Sequence, residues 1–191
     1  FLASQDGETL IWKDGARMPI SDGRASKTAA EIIDDPDIDD IFTWPYPLGA
    51  KDDPPPTDFD PGRVRPYPFF AKMYGDCRIG AVEGSLVEVS WVGGTSVPFT
   101  RVNGADKALE RVARELEALG PRFAIYLSPV AGTFNCRAIA GTERLSMHAF
   151  AAAIDLNTAY GDYWRWSGGD EKMRPYRNRI PLEIVRVFEK H

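Results

Sequence analysis

RLSMHAFAAAID, residues 144–155, sets one of the chain's two histidines, His148, seven residues ahead of a carboxylate, Asp155. The residues between them are small or apolar, so two polar side chains bracket what reads as core. On a helix, seven residues span about 10 Å. On a strand they span about 23 Å, and the two side chains face opposite sides of the sheet. Neither regular geometry lets the pair meet. Imidazole and carboxylate are both zinc donors, each about 2 Å from the ion. A shared ion therefore requires a bend, which the small residues Ala151–Ala153 would permit. The alternative is a buried histidine with a satisfied hydrogen bond and an aspartate ending a strand.

The surrounding chain has 191 residues, enough for one sizeable domain. Its composition, 43% hydrophobic and 27% charged, is that of a globular protein. No apolar run approaches the roughly 20 residues of a membrane span. The sequence opens on Phe1, so the lack of a signal peptide says nothing for the cytosol, and an upstream piece is expected to have been removed. The net charge of −5 argues against binding nucleic acid through its phosphates. Ten acids and one lysine fall between Glu31 and Asp60, a balance of −9, which leaves +4 on the other 161 residues. That remainder suits a substrate with free carboxylates, or the acidic stretch is simply a solvated arm. Two cysteines, Cys77 and Cys136, suggest one disulfide; two reduced, buried thiols are the alternative.

Residues 1–66 read as a proline-rich N-terminal arm wrapping the domain, with nine of the fifteen prolines between Pro36 and Pro68. Within it, TLIWKDGARM predicts a short strand meeting an Asp-Gly turn. SKTAAEIIDD predicts a short helix capped by Ser26. Residues 67–191 form the domain proper. PYPFFAKMYG is a short amphipathic helix, and SLVEVSWV-GG-TSVPFT is a β-hairpin. NGADKALERVARELEALG is the clearest helix. Asn103 is placed to cap it, Leu109, Val112, Leu116 and Leu119 form its apolar stripe, and Gly120 ends it. RFAIYL and AAAIDLN are expected as strands, and PLEIVRVFEKH as a helix with Pro181 in its first turn. The class is α+β, an antiparallel sheet with flanking helices.

SMHAFAAAID resembles the zinc motif of the D-alanyl-D-alanine carboxypeptidase family of metallopeptidases: Ser, any, His, two residues, Gly, any, Ala, any, Asp. Ser146, His148, Ala153 and Asp155 match, and Ala151 stands where that motif usually has Gly, a residue with more backbone freedom. DPGRVRPYPFFAKMYGDC, VNGADKALERVARELEALG, GTFNCRAIAGTERLSMHAFAAAIDLN and YRNRIPLEIVRVFEKH are similar to further blocks of bacterial members. The resemblance covers most of the chain from about Asp60. It implies the fold shared by Hedgehog and D,D-peptidases, with His148 and Asp155 as zinc ligands. It also implies a peptidoglycan stem peptide as substrate, cut as a D,D-carboxypeptidase or as an L-Ala-D-Glu endopeptidase. Such a protein is expected in the bacterial cell envelope, periplasmic or secreted, as a monomer.

In that family the third ligand is a histidine in an acid-x-x-His pattern near the C-terminus, and its acid is the general base. The sequence reaches His191 before any such segment, so these 191 residues are expected to be inactive alone. His191 as third ligand with Glu189 as base is disfavoured, because positions two apart on a helix face different sides. Arg137, eleven residues before His148, is a candidate to pair with a substrate carboxylate or an oxyanion. Ser146 would orient the motif. Trp164, in YGDYWRWSGG with Tyr160, Tyr163, Arg165 and Trp166, would rim a substrate cleft or sit in core. Two rivals remain: a thiol peptidase with Cys136 as nucleophile and His148 as base, and a non-catalytic cell-wall binding module on a peptidase scaffold.

Overall fold

A computed structural model describes residues 1–49, 56, 58–139, 141–163 and 176–191. The chain divides into two compact units, Phe1–Pro47 with Pro55–Met73, and Leu48–Pro54 with Tyr74–His191. Both mix helices with small antiparallel sheets, an α+β chain.

The first unit opens on three antiparallel strands, β1 (Leu2–Asp6), β2 (Thr9–Trp12) and β3 (Arg17–Pro19), in that spatial order. The sequence suggests only one strand and a turn here. β1 escapes because all five of its residues are exposed, leaving no alternation to read. β2 does alternate: Leu10 and Trp12 point inward, and the Trp12 ring packs 6.0 Å from that of Phe69 in α2 (Tyr67–Tyr74). Helix α1 (Ala29–Asp34) is capped by Thr28, not Ser26. Thr28 accepts from the Glu31 amide at 3.3 Å while Glu31 accepts from the Thr28 amide at 2.8 Å, so the T-x-x-E spacing closes a capping box that Ser26 cannot. Lys27, next to the cap, is enclosed by the carboxylates of Asp22, Asp37 and Asp40 at 2.9, 3.1 and 2.5 Å.

In the second unit, β4 (Leu86–Trp91) and β5 (Thr95–Thr100) form the hairpin, turning through Gly93 and Gly94 at φ 70° and 72°. Helix α3 (Ala105–Ala118) lays Leu109, Val112, Ala113 and Leu116 on the hairpin face that carries Val89, Trp91, Val97 and Phe99. Asn103 does not cap it: it sits in the left-handed region at φ 53°, and Gly104 is the cap residue. Helix α5 (Leu182–Lys190) adds Ile184 and Val187 to the same core, with Pro181 just outside its first turn. Cys77 and Cys136 are joined in a disulfide.

Two expected strands are absent. RFAIYL is a 3-10 turn running into α4 (Ala124–Leu127). Phe123 and Leu127, four apart, are buried on one helical face, whereas Ile125, which a strand would bury with them, is half exposed. AAAIDLN is irregular, because Ala151 takes a left-handed conformation that no strand contains. Only Asp155 makes a ladder contact there, an isolated bridge to Gly132.

Candidate metal centre

Ser146 starts the motif. Its hydroxyl accepts from the His148 amide at 3.4 Å and opens a 3-10 turn over Met147–Phe150. Ala151 ends that turn at φ 52°, ψ 31°. The chain then runs out with Ile154 and Leu156 against the hydrophobic core and the intervening Asp155 turned the other way. The bend at Ala151 folds the two arms together, and His148 Nε2 lies 3.2 Å from Asp155 Oδ2.

Neighbouring backbone holds both arms. The Thr100 amide donates to Ala151 O at 3.0 Å and the Asn135 amide to His148 O at 3.0 Å. Asp155 N donates to Gly132 O at 2.9 Å, and Ala131 N donates to Asp155 O at 2.8 Å. The Ser146 amide donates to Arg137 O at 3.1 Å. The motif is thus clasped between the end of β5 and the 131–137 segment, which the disulfide at Cys136 ties to Cys77.

The remaining ring nitrogen, His148 Nδ1, lies 3.1 Å from the carbonyl oxygen of Thr133. A carbonyl only accepts, so Nδ1 carries the proton, and in the neutral ring Nε2 keeps its lone pair toward Asp155. Two lone-pair donors facing each other at 3.2 Å suit a cation shared between them. Two ligands about 2.05 Å from a tetrahedral zinc ion stand about 3.3 Å apart, so the pair fits the bite of such an ion. Among the described residues, no group of three or more His, Cys, Asp or Glu side chains is placed to hold a metal.

Thr133 is the site residue that sequence reasoning passed over. It is almost fully buried, and its hydroxyl donates to Pro98 O at 2.5 Å, which fixes the carbonyl that orients His148. Nothing in its local pattern marks it, since its role exists only once β5 and the 131–135 segment lie side by side. Of the other candidates, Ser146 is buried at its cap and Arg137 is exposed. Trp164, Arg165 and Trp166 lie outside the described residues. Tyr160 packs against Tyr126 with ring centroids 4.7 Å apart, under the Arg179 guanidinium. His191 Nε2 pairs with Glu115 of α3 at 2.8 Å, and Glu189 accepts from the Gly49 amide at 2.7 Å. The thiol-peptidase reading falls, because Cys136 has no free thiol.

No curated protein and no solved structure matches the chain. Residues 140–191, which contain the whole motif, match a family model described as D-alanyl-D-alanine carboxypeptidase. That match supports, over this segment, the family-level resemblance read from the motif.

Proposed function

We propose that His148 and Asp155 are two ligands of a catalytic zinc ion, and that the protein is a peptidase of peptidoglycan stem peptides in the cell envelope. The single observation that carries this reading is the 3.2 Å approach of Nε2 and Oδ2 across the Ala151 bend, with Nδ1 engaged by Thr133. Bound there, zinc would polarise the scissile carbonyl and acidify a water molecule. The chain's own residues do the rest of what is assigned here. Thr133 holds the imidazole in the tautomer that presents Nε2, and Ser146 fixes the start of the turn. Arg137, exposed beside the motif's first residue, is assigned to a substrate carboxylate, and Trp164 to the rim of the cleft.

With only this pair of donors, zinc binding would be weak, and water activation would lack an assigned general base, a role worth about 100-fold to 10,000-fold in rate. The remaining ligand and the base are expected from residues outside those described. The test is peptide release by the full-length protein that carries these residues, from a stem pentapeptide ending in D-Ala-D-Ala, followed by mass spectrometry, with stoichiometric zinc and with the His148→Ala variant. Loss of terminal D-Ala supports the carboxypeptidase, and a cut between L-Ala and D-Glu supports the endopeptidase. Zinc-independent release that survives His148→Ala would overturn both. Retention on cell wall without any cut supports a binding module instead.

A further inference from the structure

The outer edge of β5 offers one residue's worth of free backbone. In the β4–β5 ladder, Leu86 is opposite Thr100, Glu88 opposite Pro98 and Ser90 opposite Ser96. The Thr100 amide donates away from β4, to Ala151 O, and Pro98 O accepts away from β4, from the Thr133 hydroxyl. Backbone direction repeats every second residue, so the N–H and C=O of Ser96 also face away from β4. Among the described residues neither has a partner, and Ser96 is exposed. Pro98, two residues on, has no N–H and its carbonyl is taken, so pairing along this edge stops there.

This edge forms one wall of a cleft whose other wall is the 128–134 segment, with Ser128, Val130, Thr133 and Phe134 facing Ser96 and Pro98. None of the described residues lining it is charged. The cleft adjoins the candidate metal centre through shared backbone: Gly132 and Thr133, which line it, hold Asp155 and His148 through their carbonyl oxygens.

We infer that the cleft binds a peptide strand: one uncharged residue pairs through both of its backbone groups with Ser96, which aims the neighbouring peptide bond at His148 and Asp155. This inference rests on the peptidase reading above and names the subsite that would position its substrate. An uncharged wall suits the small neutral residues of a stem peptide better than its acidic ones. Main-chain pairing would supply affinity, and the block at Pro98 would supply register.

The test uses the 191-residue chain labelled with nitrogen-15 and the probe Nα,Nε-diacetyl-L-lysyl-D-alanyl-D-alanine, followed by amide hydrogen exchange. Saturation with peptide should slow exchange at Ser96 by about tenfold or more. Ser96→Pro removes the outward N–H without touching the β4 ladder; measured against Ser96→Ala, which loses the same hydroxyl bond to Glu88 but keeps the N–H, it should bind the peptide about fivefold more weakly. If the proline variant does not fold, exchange at Ser96 in the parent chain decides alone. A peptide that perturbs residues 148–155 without protecting Ser96 overturns this inference and leaves the peptidase reading intact. Protection of Ser96 by the peptide in a chain whose His148 and Asp155 resonances do not respond to excess zinc supports the subsite and overturns the peptidase reading. No perturbation anywhere overturns both.

Discussion

His148 Nδ1 and the carbonyl oxygen of Thr133 stand 3.1 Å apart, and that contact decides which face of the imidazole is available. Because the carbonyl can only accept, the proton belongs on Nδ1 and the nitrogen left to coordinate a metal is Nε2. Long-range proton–nitrogen NMR of the zinc-titrated chain should therefore show a protonated Nδ1 and a metal-shifted Nε2. Metal on Nδ1 would remove Thr133 from the site.

Ala151 carries the bend in a conformation that disfavours a Cβ, at a cost of about 1–2 kcal/mol. Glycine there would relieve the strain but would lose a buried methyl and gain unfolded-state freedom, each worth about 0.5–1 kcal/mol. Ala151→Gly should thus unfold within about 1 kcal/mol of the parent in urea. Ala151→Val should lose about 3 kcal/mol or more, because a β-branched side chain is strained at positive φ and Ala151 is fully buried. A valine variant as stable as the parent would show that the bend lies elsewhere.

The same residue shows what could be read beforehand. The hairpin and α3 announce themselves, because alternation and a 3.6-residue stripe are local properties, and Leu109, Val112 and Leu116 are buried as their spacing demands. The motif residues were legible through resemblance, not periodicity. RFAIYL misled because a four-residue helix and a short strand bury overlapping sets, and only the exposure of Ile125 separates them. Thr133 was invisible because its carbonyl acquires meaning only from tertiary pairing. Lys27 was passed over for a related reason: its three aspartates are spread over residues 22–40 and meet only in the folded unit.

Lys27 makes the first unit sensitive to pH from both sides. Burial opposes its charge, but the hydrogen bonds it donates to Asp40, Asp22 and Asp37 outweigh that and hold the ammonium well above its ordinary value. Asp22 is held well below the usual carboxylate range by Lys27 and the Arg24 amide. Burial pushes the Asp37 carboxyl up, but the Asp22 and Asp40 amides and Lys27 bring it below the ordinary value overall. Depressed carboxyl values give stability that is present above about pH 4 and lost as the pH falls further. The raised lysine value gives stability that is intact below about pH 10.4 and lost as the pH rises beyond it. Lys27→Met, which leaves the buried Asp40 and half-buried Asp37 carboxylates without their ammonium, should cost about 3 kcal/mol in denaturant unfolding and flatten the alkaline limb. An unchanged alkaline limb would count against the cluster.

The Cys77–Cys136 bond closes a span of 59 residues. On the chain-entropy model such a loop is worth about 4 kcal/mol. Cys77→Ser with Cys136→Ser should lower the urea midpoint accordingly and make it indifferent to reductant, whereas the parent's midpoint should fall when reductant is added. Because Cys136 adjoins Arg137 and Asn135, whose backbones hold Ser146 and His148, the double variant should also weaken zinc binding.

Arg137 provides the sharpest separation between the two peptidase activities. Its carbonyl is fixed by the Ser146 amide while its side chain is exposed beside the motif, so the guanidinium can reach a ligand without disturbing the turn. A charge-assisted bond from arginine to a free C-terminal carboxylate is worth about 1.5 kcal/mol or more, or about tenfold in affinity. Arg137→Ala should therefore weaken binding of a peptide ending in free D-Ala about tenfold and leave its C-terminal amide almost unaffected. Isothermal titration of both peptides against both chains measures this without requiring turnover. Equal losses for acid and amide would mean that Arg137 packs against the cleft instead of reading a carboxylate, and the C-terminal selectivity of a carboxypeptidase would then have to come from another cation. Arg137→Lys adds a second reading. It keeps the charge but loses the planar fork, so partial rescue for the free acid alone is the expected signature of carboxylate recognition.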